Sequence, residues 1–295
     1  MSFSSDVKHE LAEIRDERAC CRTAEAYGLA EFGHAFSAHS VSLQTENETV
    51  ARLYADFLGE AVRVPLSVTE GKGLYTAAAA DQNSRIRILQ RFGHAPTDVG
   101  VRLNRANLEC DQCPAAFIRG AFLSCGTVTN PESDYHLEFS VPFLNLSRDL
   151  VTLLRESGLL AKQARRAGGY VVYFKGSESI EDCLTLMGAT SAALELMGVK
   201  MIKDIRNNAN RVTNCESANI DKTVAAAAVQ SEAVRKIERT LGLDALPEDL
   251  REIARLRLEN PELSLRELGE ALERPLTRSG VNHRLRRILE FADKL

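Results

Sequence analysis

Near the C-terminus, side chains suited to reading DNA bases occur close together in the sequence. They are Arg278, Ser279, Asn282, His283 and Arg286. An arginine can bond the edge of guanine through two hydrogen bonds, and an asparagine can do the same for adenine. A serine and the amino end of a helix suit phosphate, and the imidazole is interpreted as a phosphate or surface contact because no second metal ligand stands near it. On one exposed helix face, this set would bind double-stranded DNA.

Further residues around that set suit the DNA backbone. Arg284 and Arg287 lie further round the same predicted helix and are expected to touch phosphates. Arg266 and Arg274 flank the preceding turn and could clamp phosphates, and Thr277 at the start of the helix completes the candidate DNA-binding residues.

The local signals predict a helix-turn-helix around these residues. A first helix covers residues 247–259, and a capping box of Ser264 and Glu267 opens a second helix over residues 265–272. A turn at residues 274–276 follows, as expected between the two helices of this motif.

The last helix of the motif is predicted to begin after a cap at Thr277 or Ser279. Its apolar stripe consists of Val281, Leu285, Ile288 and Leu289. A helix rich in arginine is often only a solvated surface. Here the cap, the turn and the polar face all occur at the positions that a helix-turn-helix requires, which favours DNA binding.

The first 200 residues contain the same order of helices and strands twice. Helices are predicted over residues 7–16, 22–32, 48–58 and 84–92, and strands over 35–43 and 74–79. In the second copy, helices are predicted over 115–124, 147–156 and 177–187, and strands near 128 and over 135–141 and 169–175. Gly28 aligns with Gly120, 92 residues later. Glycine allows helix backbones to approach closely, so the spacing predicts a duplicated α+β unit whose paired helices pack through small residues.

The aligned segments AYGLAEFGH (26–34) and IRGAFLSCG (118–126) resemble the paired helices of LAGLIDADG homing endonucleases. In that family, the final acid of each helix holds the divalent cations that activate water for phosphodiester cleavage. The resemblance places Gly33 and Cys125 at those positions, and neither supplies a hard oxygen ligand. Glu31 lies on a different side of the helix and is not an obvious substitute. We therefore expect no catalytic residues and no metal-dependent cleavage.

The chain has seven cysteines and no evident secretory signal, so reduced thiols are expected. Cys110 and Cys113 form a lone C-x-x-C pair, for which a structural turn closed by Pro114 is the favoured interpretation. Zinc needs four ligands, and the adjacent Cys20 and Cys21 are expected to be poor tetrahedral partners. The sequence therefore predicts no metal and no cofactor, with zinc as the alternative.

Residues 204–216 are rich in asparagine and charge, and an alanine-rich segment predicted as one long helix follows them. Asparagine-rich runs usually cap helices and form turns, which is the favoured interpretation. A contact of Arg206, Arg211 or Lys222 with the DNA backbone or another domain is the alternative.

Charge divides unevenly along the chain, whose net charge is −4. Residues 200–295 contain 18 Lys+Arg against 16 Asp+Glu, and residues 1–199 contain 19 against 25. No segment is long and apolar enough for a membrane span, and the charged N-terminus is unlike a signal peptide. These patterns predict a soluble cytoplasmic protein with neither a membrane partner nor a small-molecule substrate.

Three segments resemble the WhiA family of bacterial transcriptional regulators, over nearly the whole chain. They are AFIRGAFLSCGTVTNPESDYHLEF (116–139), NRVTNCESANIDKTVAAAAVQ (210–230), and LSLRELGEAL with LTRSGVNHRLRRI (263–288). The resemblance implies a degenerate LAGLIDADG-like domain over 1–200, with repeats at about 1–100 and 108–200, a linker with a long helix over 201–242, and a helix-turn-helix over 243–295.

That resemblance implies a nucleoid-associated factor linked to sporulation in some bacteria and, more widely, to cell division, the cell cycle and chromosome segregation. The expected function is sequence-specific transcription regulation on a catalytically dead scaffold. One alternative is an active nuclease with unrecognised metal ligands. The other is an interaction scaffold for the division or transcription machinery, with a protein partner and only non-specific DNA contact.

Overall fold

The computed structural model of the chain describes residues 2–98 and 100–295. Contacts divide the chain into two units, of which the first ends at Lys203 and the second comprises Asp204–Leu295. The first unit contains helices and two sheets, and the second contains helices only among the described residues. No helix in the described ranges is long and apolar enough to cross a membrane.

The first unit is built from two halves with the same element order. Helix α1 (Phe3–Ala12) precedes the first half, which runs α2 (Ala19–Glu31), β1 (Ala35–Phe36), β2 (Val41–Thr45), α3 (Glu48–Val62), β3 (Leu66–Gly71), β4 (Leu74–Ala79) and α4 (Gln82–Arg91). A short 3-10 helix (Arg105–Asn107) leads to the second half, which runs α5 (Cys113–Cys125), β5 (Gly126–Val128), β6 (His136–Val141), α6 (Leu144–Glu156), β7 (Lys162–Arg166), β8 (Gly169–Lys175) and α7 (Ser177–Met187). The antiparallel strand orders are β1-β2-β4-β3 and β5-β6-β8-β7. The predicted duplication is confirmed.

The sequence did not predict β3 and β7, each of which is one of the two outer strands of its sheet. In β7, Lys162, Gln163, Arg165 and Arg166 are all exposed, so no alternation of apolar residues marks the strand. Charged edge strands discourage pairing with another chain. The strand predicted over 35–43 is broken by a turn in which the Ser37 N–H donates to the Ser40 carbonyl at 2.8 Å.

Helices α2 and α5 cross where the two aligned glycines meet the opposite backbone. A Cβ on Gly28 would lie 2.2 Å from the carbonyl oxygen of Phe117. A Cβ on Gly120 would lie 2.2 Å from the carbonyl oxygen of Glu25. No other residue fits at these distances without moving a helix, so the predicted packing through small residues is confirmed.

A buried ion pair also joins the two halves. Arg119 on α5, 4% exposed, donates to both carboxylate oxygens of Glu25 on α2, at 2.9 and 2.7 Å. It also donates to Asp16 and, at 3.2 Å, to the Met187 carbonyl. Burial raises the pKa of Glu25 and Arg119 opposes that shift, so the cation keeps the buried carboxylate compensated.

In the second unit, the chain is helical where turns were expected. Helix α8 (Thr190–Leu241) begins in the first unit and includes the whole asparagine-rich run over 204–216. The prediction of caps and turns there is wrong. Asparagine costs an exposed helix only a fraction of a kcal/mol per residue, about 0.7 at most, and the alanine-rich segment favours the helical state.

Three short helices follow α8 and a 3-10 helix (Leu243–Ala245): α9 (Glu248–Glu259), α10 (Leu265–Glu270) and α11 (Arg278–Ala292). Their core buries Val281, Leu285 and Ile288 on α11, as predicted, whereas Leu289 is half-buried. The same core includes Val234 and Ile237, Leu250 and Ile253, and Leu268 and Leu272. The end of α8 is therefore part of the second unit's core.

Candidate nucleic-acid interface

Helices α10 and α11 form a helix-turn-helix fixed at both helix starts. Ser264 accepts from the Glu267 N–H at 3.3 Å, and the Glu267 carboxylate accepts from the Ser264 N–H at 2.8 Å, which is the predicted capping box. Of the two candidate caps of α11, Thr277 fills the role, accepting from the Gly280 N–H at 3.3 Å.

Gly269 on α10 fixes the turn between these helices. Its carbonyl accepts from the Leu276 N–H at 3.0 Å, and a Cβ on it would lie only 2.3 Å from the Leu276 carbonyl oxygen. The close approach sets the angle at which α11 leaves the turn. Sequence reasoning missed this glycine, because its contact lies across the turn and leaves no local signal.

Eight of the ten predicted DNA-binding residues are exposed, and six of these eight have no bonding partner among the described residues of the protein. These six are Arg274, Arg278, Ser279, Asn282, His283 and Arg286. Within the described ranges, their side chains form no hydrogen bond or ion pair with the protein. With the buried stripe turned inward, donors and acceptors from α11 and its preceding turn face solvent, as direct base contact requires.

Three of the other four predicted residues bond within the chain, and the fourth is half-buried. Arg266 donates to Glu270 at 2.9 Å, and Arg287 donates to Asp249 at 2.6 Å. Arg284 is half-buried, and Thr277 caps α11. Both ion pairs lie at the surface, where such a pair is worth about 1 kcal/mol at most, so a phosphate can compete for either arginine.

A groove of about 580 Å³ lies beside the N-terminal turns of α11. Arg266, Arg278 and Asn282 line one part of it, and Asn219 and Lys222 on α8 line another. The fold thus brings Lys222 beside the predicted base-reading residues. Arg206 and Arg211, suggested together with it, do not line the groove.

Arg257 also lines this groove, and sequence reasoning missed it. It is 1% exposed and donates to the carbonyls of Leu263, at 2.7 Å, and Pro261, at 3.2 Å. These bonds hold the segment that leads into α10. A single arginine on the inner face of α9 gives no pattern that would distinguish it from a surface residue.

Neither position expected to carry a metal-binding acid retains one in the first unit. At Gly33, a Cβ would lie 2.8 Å from the Ser42 carbonyl oxygen, so β2 occupies the space of a side chain. Cys125 ends α5, close to Lys8, and burial raises the pKa of its thiol to about 12. A neutral thiol and a glycine offer no hard ligand to a divalent cation.

Glu31 lies in the core and not at this position. The hydroxyl of Tyr27 donates to it at 2.8 Å and is also 2.9 Å from Nε2 of His94. Burial raises the pKa of Glu31 to about 8 and lowers that of His94, so both groups favour their neutral forms at neutral pH.

Four cysteines meet at the N-terminal ends of the crossing helices. Cys20 and Cys21 lie in the first turn of α2, Cys113 begins α5, and Cys110 lies three residues before it. All four sulfur atoms lie within 4.8 Å of one another. The turn before Pro114 exists, since the Cys113 N–H donates to the Cys110 carbonyl at 3.1 Å. The structure nevertheless brings the adjacent Cys20 and Cys21, which were expected to be poor tetrahedral partners, together with Cys110 and Cys113.

Comparison with known proteins tests the suggested family. The WhiA LAGLIDADG-like domain model matches residues 114–206, and the WhiA C-terminal HTH domain model matches residues 209–292. A probable cell division protein WhiA of Clostridium botulinum is 37% identical, and one of Staphylococcus haemolyticus is 38% identical. Each comparison covers 100% of this chain, with 99% and 98% of the relative. This chain belongs to the WhiA family.

The full-length WhiA structure from Thermotoga maritima has a similar fold. It matches with a TM-score of 0.61 and 25% identity, over 100% of this chain and 99% of that one. The WhiA HTH match begins at residue 209, inside α8, and so includes more than the three short helices. That agrees with the burial of α8 residues in the core of the second unit.

Proposed function

We propose that this chain is a sequence-specific DNA-binding transcriptional regulator whose LAGLIDADG-like unit does not cleave DNA. The observation that carries the proposal is the free polar face of α11, which contains Arg278, Ser279, Asn282, His283 and Arg286. The relatives are named for cell division, and we extend that role to this chain, with action on chromosomal DNA in the cytoplasm.

The contacts of each residue indicate whether it would bind a base edge or a phosphate. Arg278 and Asn282 stand one helical turn apart on α11 and would bond base edges in the major groove. Lys222, together with Arg266 released from Glu270, would bind phosphates on either side of the groove. Arg274 and Arg286 are free for the same purpose, whereas Arg284 and Arg287 would reach the backbone only after leaving their present positions.

The first experiment is selection of fragments from the source genome by the purified full-length chain at near-physiological salt, followed by sequencing. A shared motif upstream of genes is the expected result. Recovery of fragments without a shared motif would indicate that the helix-turn-helix binds the DNA backbone without sequence preference.

The selected site then allows a test by residue. Replacing both Arg278 and Asn282 by alanine should weaken specific binding at least about 30-fold, because each of the two base contacts contributes about 1–3 kcal/mol. Affinity for unrelated DNA should change little. Arg255→Ala, an exposed arginine on α9 outside the groove, removes the same charge and should retain the preference. An unchanged preference in the double variant would place base recognition elsewhere.

The absence of cleavage has its own test. Supercoiled plasmid incubated with the chain and magnesium or manganese should remain supercoiled, because Gly33 and Cys125 provide no carboxylate. The nuclease interpretation would be restored by nicking that meets two conditions. The nicking would have to disappear when a chelator is added, and a variant altered in the helix-turn-helix would have to retain it.

A second function, association with a protein partner, is favoured by exposed apolar residues on α8. Leu194, Met197 and Met201 follow helical spacing and are 68%, 44% and 65% exposed. Replacing Leu194 and Met201 by aspartate should abolish capture of a division or transcription protein without changing DNA affinity. Capture that survives these changes would exclude this face.

A further inference from the structure

We propose that Cys20, Cys21, Cys110 and Cys113 form a structural zinc site that links the two halves of the LAGLIDADG-like unit. The proposal concerns a metal site in the first unit and does not depend on DNA binding by the second.

The distances between the sulfur atoms match one tetrahedral ion. A zinc–sulfur bond of about 2.3 Å places the four thiolates about 3.8 Å apart. In the structure, Cys110 Sγ lies 3.6 Å from Cys20 Sγ, 3.5 Å from Cys21 Sγ and 3.5 Å from Cys113 Sγ. No pair exceeds 4.8 Å. One sphere can therefore contact all four thiols with small rotations of the side chains.

The same distances disfavour two other uses of the cluster. A disulfide requires sulfur atoms about 2.05 Å apart, and every cysteine here is a free thiol. A four-iron cluster places inorganic sulfide and iron between its thiolates and needs a wider arrangement. Four convergent thiolates are the usual donor set of a closed structural zinc site.

The surroundings suit the charge of such a site. Four thiolates around one divalent cation carry a net charge of −2. Arg18 lies beside them, interacting with the Cys110 thiol and donating to Asp111 at 3.1 Å. The starts of α2 and α5 contribute partial positive charge, and the Cys110 N–H donates to Cys113 Sγ at 3.4 Å.

The location indicates what the metal would do. Cys21 and Cys113 are 92 residues apart, the same spacing as the aligned glycines, so they occupy equivalent places in the two halves. Both are buried, whereas Cys20 and Cys110 are half-buried. Zinc would close the open ends of the two helices whose backbones meet at Gly28 and Gly120, and would supply a link across a long loop.

The experiment measures metal in the full-length chain. The protein is purified under reducing conditions, passed over a chelating resin, and its zinc content is determined by mass spectrometry. We expect one zinc per chain, released by a mercurial reagent that titrates thiols. Cys20→Ser and Cys110→Ser should lose the metal and lower the midpoint of thermal unfolding. Cys215→Ser, which removes an exposed cysteine on α8, should keep both.

Cobalt keeps the test decisive if the serine variants do not fold. The wild-type chain reloaded with cobalt should show the intense visible bands of a tetrahedral tetrathiolate complex. A reduced, folded chain that holds no zinc and develops no such bands would overturn the proposal. So would bound iron with visible absorption, or a pair of disulfides within these four cysteines in protein purified without reductant.

Discussion

Replacing Gly120 by alanine should separate the two crossing helices. An added Cβ would lie 2.2 Å from the Glu25 carbonyl oxygen and 2.9 Å from the Leu29 nitrogen, whereas ordinary contact begins near 3.4 Å. Helices α2 and α5 must then move apart by about 1.2 Å. Both neighbours are backbone atoms, so no side-chain rotation can relieve the clash.

Opposing contributions set the size of the effect. Alanine in a helix is normally about 1 kcal/mol more favourable than glycine. Overpacking costs about 1–3 kcal/mol, and a gap approaching 1 Å removes up to about half of each contact energy along the crossing. We take the overpacking cost at its upper end, about 3 kcal/mol, and subtract the gain of about 1 kcal/mol from alanine in a helix. Gly120→Ala should therefore lower the free energy of unfolding by about 2 kcal/mol. For a unit of this size, that corresponds to about 4–8 °C in the unfolding midpoint.

The assay is urea denaturation followed by circular dichroism, with Gly198→Ala as the matched control. Gly198 lies in α8, and a Cβ on it meets nothing within 4 Å. That variant should be neutral or up to about 1 kcal/mol more stable than the wild type. The double variant of Gly28 and Gly120 should cost less than the sum of the single variants, because the first replacement already separates the helices. Equal stability of the Gly120 and Gly198 variants, or strict additivity, would refute the reasoning.

Three further predictions concern buried and capping groups. Arg119→Met should destabilise the chain by about 3 kcal/mol or more, because Glu25 would stay buried without its cation; an unchanged urea midpoint would contradict this. The raised pKa of Glu31, about 8 against about 4.3 when unfolded, means that the folded state binds an extra proton between these values. The free energy of unfolding that depends on protonation of Glu31 is therefore fully present below about pH 4 and is lost as pH rises towards 8. From pH 7 to pH 8, the free energy of unfolding of the wild type should fall by about 1 kcal/mol relative to that of Glu31→Gln. Parallel stability curves for the two proteins would exclude this linkage. Ser264→Ala should cost about 1 kcal/mol by removing the capping box with Glu267, measured as a lower melting midpoint.

Elements with a local signal could be predicted from the sequence. Strand β8 and helix α7 lie where their patterns placed them, and the capping box at Ser264 has its expected bonds. In these segments, local preference and tertiary packing act in the same direction. The edge strands β3 and β7 carried no such signal, because strand pairing and not burial of one face determines them.

The candidate sites divide in the same way. The exposure of Arg278 and Asn282 could be predicted because the apolar residues of the same helix, such as Val281 and Leu285, mark its buried face. The groove beside them depends on α8, whose position no local pattern reveals. The cysteine cluster required the crossing of α2 and α5, since its two pairs are separated by about 90 residues of sequence.

The approach of β2 to Gly33 bears on how this chain could evolve. An acid at Cys125 would need only a new side chain, but an acid at Gly33 would collide with the Ser42 carbonyl unless the strand also moved. An acid at Gly33 would therefore cost stability unless β2 also moved. A metal-binding acid at both Gly33 and Cys125 would need coordinated changes in two elements, the end of α2 and strand β2.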